Sequence, residues 1–280
     1  MLFLLFSIFA SGGMAITLRL AEQHGCNLKA LTSANYVVAA LASWALMQDK
    51  AVLPSAGMRL TLLLGAVNGC LFLATLLLYQ INIEKNGTPL TVSFARLGVL
   101  VPTLLSLVIF KEYPRSLQWL GVALAAAAIV IINYDPAAGR EKARHKLWLV
   151  VLFVIGGLAD MMSKVFEATA NHGQSGLFLF YTFFAALLLS LLRLAKSGER
   201  FGVSDCLWGL AVGVLNYCST MFLLQAILRM PAFYAYPVYS AGTIIFVSLV
   251  NFAFLHEPLS KRQYCGMAVI AAALVCLNAA

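Results

Sequence analysis

Charge is scarce in this chain. Only 11% of its 280 residues are Asp, Glu, Lys or Arg, against 62% hydrophobic residues, whereas soluble domains average roughly 25% charged and about 45–50% apolar. With 19 basic and 11 acidic side chains there is too little charge to coat a globule of this size, which excludes an ordinary soluble enzyme. A disordered chain has the reverse signature and is excluded too. The net charge of +8 sits in short connectors rather than on a basic face or arm, so no nucleic-acid partner is expected. No Walker loop G-x-x-x-x-G-K-[ST] occurs, so ATP is not expected as a direct fuel. His256-Glu257 is followed by Ser260 where the zinc motif H-E-x-x-H needs its second histidine. No nucleophile–base constellation stands out either, so neither catalytic residues nor a cofactor or metal is expected. The six cysteines lack C-x-x-C spacing and mostly fall in apolar runs, where they read as small buried thiols.

What the chain has instead is apolar length. The mean hydropathy is +0.89, and a bilayer-spanning helix needs about 20 mostly apolar residues. Ten such runs lie near 2–20, 30–47, 60–82, 88–110, 117–133, 147–165, 176–194, 204–228, 232–254 and 264–279. Runs such as Leu120–Ile132 and Leu179–Leu192 are apolar on every face, unlike the alternating strands of a membrane barrel. The first run lacks a basic segment ahead of it, so it reads as helix 1 and not as a signal peptide. The expectation is an all-α polytopic membrane protein of ten transmembrane helices.

The two halves repeat one another. At a shift of 145 residues, Glu112, Gly121 and Asn133 match Glu257, Gly266 and Asn278, and Arg19-x-x-Glu22 matches Lys164-x-x-Glu167. Gly12-Gly13 matches Gly156-Gly157, and Gly65-x-x-x-Gly69 matches Gly209-x-x-x-Gly213, both at 144. His24-Gly25 matches His172-Gly173 at 148. The expected organisation is a first five-helix repeat over residues 1–133, a linker at 134–146 and a second repeat over 147–280. Five spans is an odd number, so the second copy enters the membrane in the opposite sense. Inverted repeats of this kind let secondary transporters build two alternative openings around one central site.

The connector Lys111-Glu112-Tyr113-Pro114 before a small-residue helix opening at Gly121, echoed by His256-Glu257-Pro258 before Gly266, resembles the drug/metabolite transporter superfamily in its EamA-like ten-helix branch. The resemblance covers nearly the whole chain in length, repeat number and helix count. It implies a pathway surrounded by helices 1–4 and 6–9, with helices 5 and 10 at the periphery. The exporters of amino acids and other metabolites found in the family make a small-molecule cargo the expectation.

Ionisable groups inside spans are costly and usually face a cavity or a partner. Arg96 lies eight residues into helix 4, roughly 12 Å along the axis. It can hold a substrate carboxylate or phosphate, or serve in a structural ion pair. Asp160 follows Gly156-Gly157. It can bind a substrate ammonium or exchange a proton against cargo, or simply pair with Lys164 four residues on. Together Arg96 and Asp160 would suit a zwitterion, hence an amino acid or an organic anion as substrate. Tyr236 and Tyr239 share a face of a helix that carries Pro231 and Pro237, and they could wall the cavity. Asn68 and Asn216 are intramembrane amides that either touch substrate or join helices. Arg19, Glu22, Lys164 and Glu167 read as within-helix ion pairs or as gates that break on opening.

These residues favour a secondary active transporter, an exporter of a small polar or amphipathic metabolite in the plasma membrane. It would be driven by a proton or substrate gradient, surrounded by membrane lipids, and a monomer or homodimer. A flippase for a lipid-linked phosphate is the alternative within transport; an integral-membrane enzyme or receptor is the alternative outside it. Lys and Arg favour the odd-numbered connectors by about twelve to six, which alone puts both termini outside. The family resemblance implies cytoplasmic termini. Either way an even number of spans leaves both termini on the same side.

Overall fold

The computed structural model describes residues 1–47, 56–133, 145–197, 202–254 and 261–278. Most of the 134–146 linker and the His256-Glu257-Pro258 connector therefore lie outside the described residues. The described chain is all helical, without a strand. Its helices are α1 (Leu2–Gln23), α2 (Leu28–Leu46), α3 (Arg59–Asn86), α4 (Thr88–Leu97), α5 (Leu100–Val108) and α6 (Ser116–Asn133). They continue with α7 (Lys146–Thr169), α8 (Ser175–Ser197), α9 (Val203–Ile227), α10 (Ala232–Phe254) and α11 (Lys261–Asn278). In hydrocarbon every backbone group must be satisfied within its own segment, which is why apolar runs of this length become helices.

The bounds follow the ten apolar runs closely, with one correction. The run expected as one helix over 88–110 is divided into α4 and α5 at Gly98–Val99. Pro102 is the physical reason, since it has no N–H to give the Gly98 carbonyl four residues before it. That carbonyl takes the Val101 N–H instead, at 3.0 Å, and the turn tightens while the backbone stays near helical angles. Seven segments, with α4 and α5 counted as one, are long and apolar enough to cross a membrane by themselves. Outside that set are α6 and α11, each of 18 residues, and α2, which carries buried Thr32, Ser33, Asn35 and Ser43.

The helices gather into two compact units, each drawn from both halves of the chain: Met1–Leu73 with Val165–Leu228, and Ala74–Lys164 with Arg229–Ala280. In the first unit, α9 lies against α1 and α2, and α8 against α2. Glycines set the closest approaches. A Cβ at Gly65 would come within 2.9 Å of the Phe178 carbonyl, and one at Gly69 within 2.7 Å of the Ala185 Cβ, so α3 meets α8 backbone to backbone. Likewise Gly209 faces the Leu31 carbonyl at 3.0 Å and Gly213 the Asn35 carbonyl at 2.7 Å, where α9 meets α2. The ends of these helices are tied by polar groups. Asn27 caps α2 through the Lys29 amide, and the Asn27 N–H donates to Asp205 at 2.8 Å. Asp205 also accepts from the Gly202 N–H, which anchors the start of α9.

In the second unit, α6 and α11 run alongside each other and α10 lies against α5 and α6. The α6–α11 pair is antiparallel. Gly121, early in α6, faces Leu277 and Ala273 late in α11; Gly266, early in α11, faces Ile132 and Ala128 late in α6. Asn82 of α3 donates to the Trp148 carbonyl of α7 at 2.9 Å, and Asn86 donates to the His145 carbonyl one turn on.

Candidate functional site

Within the second unit, α7 carries Asp160 and Lys164 one turn apart and therefore on one face. Gly157 brings that helix onto the α4–α5 break: a Cβ there would lie 2.5 Å from the Gly98 carbonyl and closer still to the Val101 Cβ. Arg96 stands two residues before the break, half-buried, and its charge acts on Asp160. From the opposite side Tyr236, wholly buried in α10, donates its hydroxyl to the Asp160 backbone carbonyl at 2.6 Å. Asp160 and Tyr236 are thus in contact, with Arg96 in the same unit. Tyr239 is one turn beyond Tyr236 and half-buried.

Lys164 is drawn to Glu112, a residue that the sequence marked through the repeat and the family resemblance and not as a site residue. Its ammonium lies 2.7 Å from Glu112, and the two side chains are 8% and 14% exposed. The other oxygen of Glu112 accepts the Ala232 N–H at 2.8 Å and the Phe233 N–H at 3.3 Å, so the carboxylate also caps α10. A carboxylate is favoured there by the unsatisfied donors and by the positive end of the helix dipole. Local backbone aims it: Lys111 adopts φ of 53°, a left-handed conformation that non-glycine residues seldom take, and the Glu112 N–H donates to the Ser106 carbonyl. The Lys164 ammonium sits 5.5 Å from the Phe110 ring centre. The available signal was an acid beside a proline in a short connector, present once in each half.

The remaining candidates lie in the first unit. Asn68 sits between Gly65 and Gly69 and donates to the Thr182 hydroxyl at 3.3 Å, leaving its own amide oxygen buried without a partner. Asn216 donates to the Asn35 amide oxygen at 3.1 Å. Both amides therefore stand in helix crossings. Arg19 is half-buried and Glu22 exposed at the end of α1, while Glu167 is half-buried near the end of α7. The first unit also holds a cavity of about 420 Å³ beside the His172–Gln174 turn, and its lining includes Met47, Met58, Gln174, Tyr217, Met221 and Gln225. Among the described residues no group of three His, Cys, Asp or Glu side chains could hold a metal ion.

Seven segments among the described residues are long and apolar enough to cross a membrane, which is the make-up of a polytopic membrane protein. Residues 144–279 match the EamA-like transporter family, which places the second half of the chain in the drug/metabolite transporter class. An uncharacterized protein of Haemophilus influenzae is 23% identical over 98% of this chain and 96% of its own length. A crystal structure of another protein superposes with a TM-score of 0.76 at 14% identity, covering 99% of this chain and 96% of that one. That likeness is one of fold alone.

Proposed function

We infer that this EamA-like protein is a secondary transporter that exports a small polar or amphipathic metabolite by alternating access between two inverted five-helix repeats. The observation that carries the reading is an exchange of contacts between the halves. Gly121 faces Leu277 and Ala273 as Gly266 faces Ile132 and Ala128, and every partner is displaced by 145 residues. Leu31, Ala34 and Asn35 meet Gly209 as Phe178, Tyr181 and Thr182 meet Gly65, displaced by 147 and 144. Such reciprocity is what a two-fold relation produces, and an antiparallel self-pair places its axis across the helices, as inverted repeats require.

In this reading Arg96 receives the carboxylate of an amino acid or organic anion, and Asp160 receives its ammonium or a coupling proton. Alternation also needs contacts that hold in one state and break in the other. In this reading the tie from Lys164 through Glu112 to the start of α10 would serve as one. The protein would work in the plasma membrane with both termini on the same side.

The test is flux of radiolabelled amino acids and organic acids from proteoliposomes under an imposed pH gradient. Arg96→Ala is expected to abolish flux of the transported compound. Asp160→Asn is expected to leave exchange intact while removing its dependence on the pH gradient. Full gradient-driven flux in both variants would overturn the assignment.

A further inference from the structure

We propose that the cavity in the first unit binds an uncharged amphipathic molecule, a flat ring carrying one hydrogen-bonding group, with Tyr217 as the polar partner. Among the described residues no Asp, Glu, Lys or Arg lines this cavity, and its one histidine, His172, already contacts the Glu167 carbonyl through Nε2, so a charged ligand would lose hydration there with little counter-charge in return. Its volume of about 420 Å³ falls among those of small-molecule sites. Three thioethers, Met47, Met58 and Met221, contribute to the lining. Methionine is adaptable in shape and favours aromatic faces and edges.

Tyr217 points to a ligand most directly. It is 6% exposed and lines the cavity, and a phenol so placed normally seeks a hydrogen-bond partner. Gln174, by contrast, is already occupied: its amide oxygen accepts from the Thr61 hydroxyl and its amide nitrogen donates to the Gly57 carbonyl. It builds the wall and leaves the recognition to its neighbours. The duplication argues in the same direction. At the shift of 144 that matches the glycines of α3 and α9, Tyr217, Met221 and Gln225 correspond to Leu73, Leu77 and Ile81. The same helix position is served by three aliphatic side chains in the first half, so the fold does not demand the phenol, the thioether or the amide.

Only in naming the occupant as cargo does this rest on the transport reading; binding itself is measured without flux. The probes are tryptophol, tryptamine and indole-3-acetate, which share one ring and differ in charge. They are titrated against the full chain in lipid nanodiscs, with the thermal midpoint as readout. Tryptophol is expected to raise the midpoint saturably, and the cation and anion to do so at least tenfold more weakly. Tyr217→Phe keeps the ring and removes the hydroxyl, and is expected to weaken tryptophol about three- to tenfold. Met221→Leu conserves volume and loses the sulfur, giving a second reading on a variant expected to fold. Equal binding of all three probes, or tryptophol binding unchanged in both variants, would overturn the proposal. If tryptophol binds as expected while Arg96→Ala leaves flux intact, the cavity stands and the central-site reading falls.

Discussion

Glutamate 112 makes three contacts with one carboxylate, so its removal has a calculable cost. The Lys164 ammonium at 2.7 Å is 8% exposed, and the Ala232 and Phe233 N–H groups open α10. Glu112→Gln keeps an amide oxygen for those donors but leaves the lysine charge buried and unpaired. Breaking a buried pair from one side costs about 3–5 kcal/mol. The lower end applies here, because Lys164 retains a hydrogen bond and the Phe110 ring. Glu112→Ala also strands the cap and adds about 1 kcal/mol. At roughly 2–4 °C per kcal/mol for a chain of this class, Glu112→Gln should lower the thermal midpoint in detergent by about 6–12 °C. Stability alone does not identify the partner, so Lys164→Met completes a cycle. Removing both charges leaves neither unpaired, and the double variant should lose at least about 2 kcal/mol less than the two single losses combined. Additivity within about 0.5 kcal/mol would refute the pairing, and with it the idea that a transport cycle could make and break it.

Adjacent glycines in α7 should behave differently. Gly157→Ala drives a methyl into the Gly98 carbonyl and Val101, whereas Gly156→Ala meets only the Thr75 methyl at an ordinary 3.5 Å; the first should cost about 1–3 kcal/mol and the second little, by thermal unfolding of each. Tyr236→Phe deletes one hydrogen bond to the Asp160 carbonyl and should cost about 1 kcal/mol, measured the same way. Because Lys111 holds φ of 53°, Lys111→Gly should be neutral or stabilising by up to about 1 kcal/mol and Lys111→Ile destabilising by a similar amount; the reverse order would place the strain elsewhere.

Helix positions were legible because hydropathy is a property of local segments, and the bounds of α1, α8 and α10 lie within about three residues of the apolar runs. The α4–α5 break was written in the sequence as well, at Pro102, but a hydropathy reading passes over a proline within an apolar stretch. Partners were harder to read. Lys164 has Asp160 and Glu167 on its own helix, within i,i+4 reach, while Glu112 is 52 residues away. Only the register of α7 against the α5–α6 connector brings Glu112 to it. Tyr217 was invisible for the same reason: a tyrosine in an apolar helix says nothing of a cavity until the turn at Gln174 stands opposite it.

The duplication separates what the scaffold needs from what a cargo needs. Glycines at the helix crossings occur in both halves, and so do the acid of the short connector, Glu112 and Glu257, and the base near the end of the first helix, Arg19 and Lys164. A residue present twice suits a task performed twice, such as holding a crossing or closing one of two openings. Arg96 and Asp160 occur once. Their counterparts at shifts of 144 and 145 are Ser240 or Ala241, and Ile16 or Ala15, none of them charged. A charge inside an apolar helix is costly to keep, and the uncharged counterparts sit in the helices α10 and α1. The repeat therefore gives no reason for Arg96 and Asp160, whereas the proposed transport of a single asymmetric cargo would supply one.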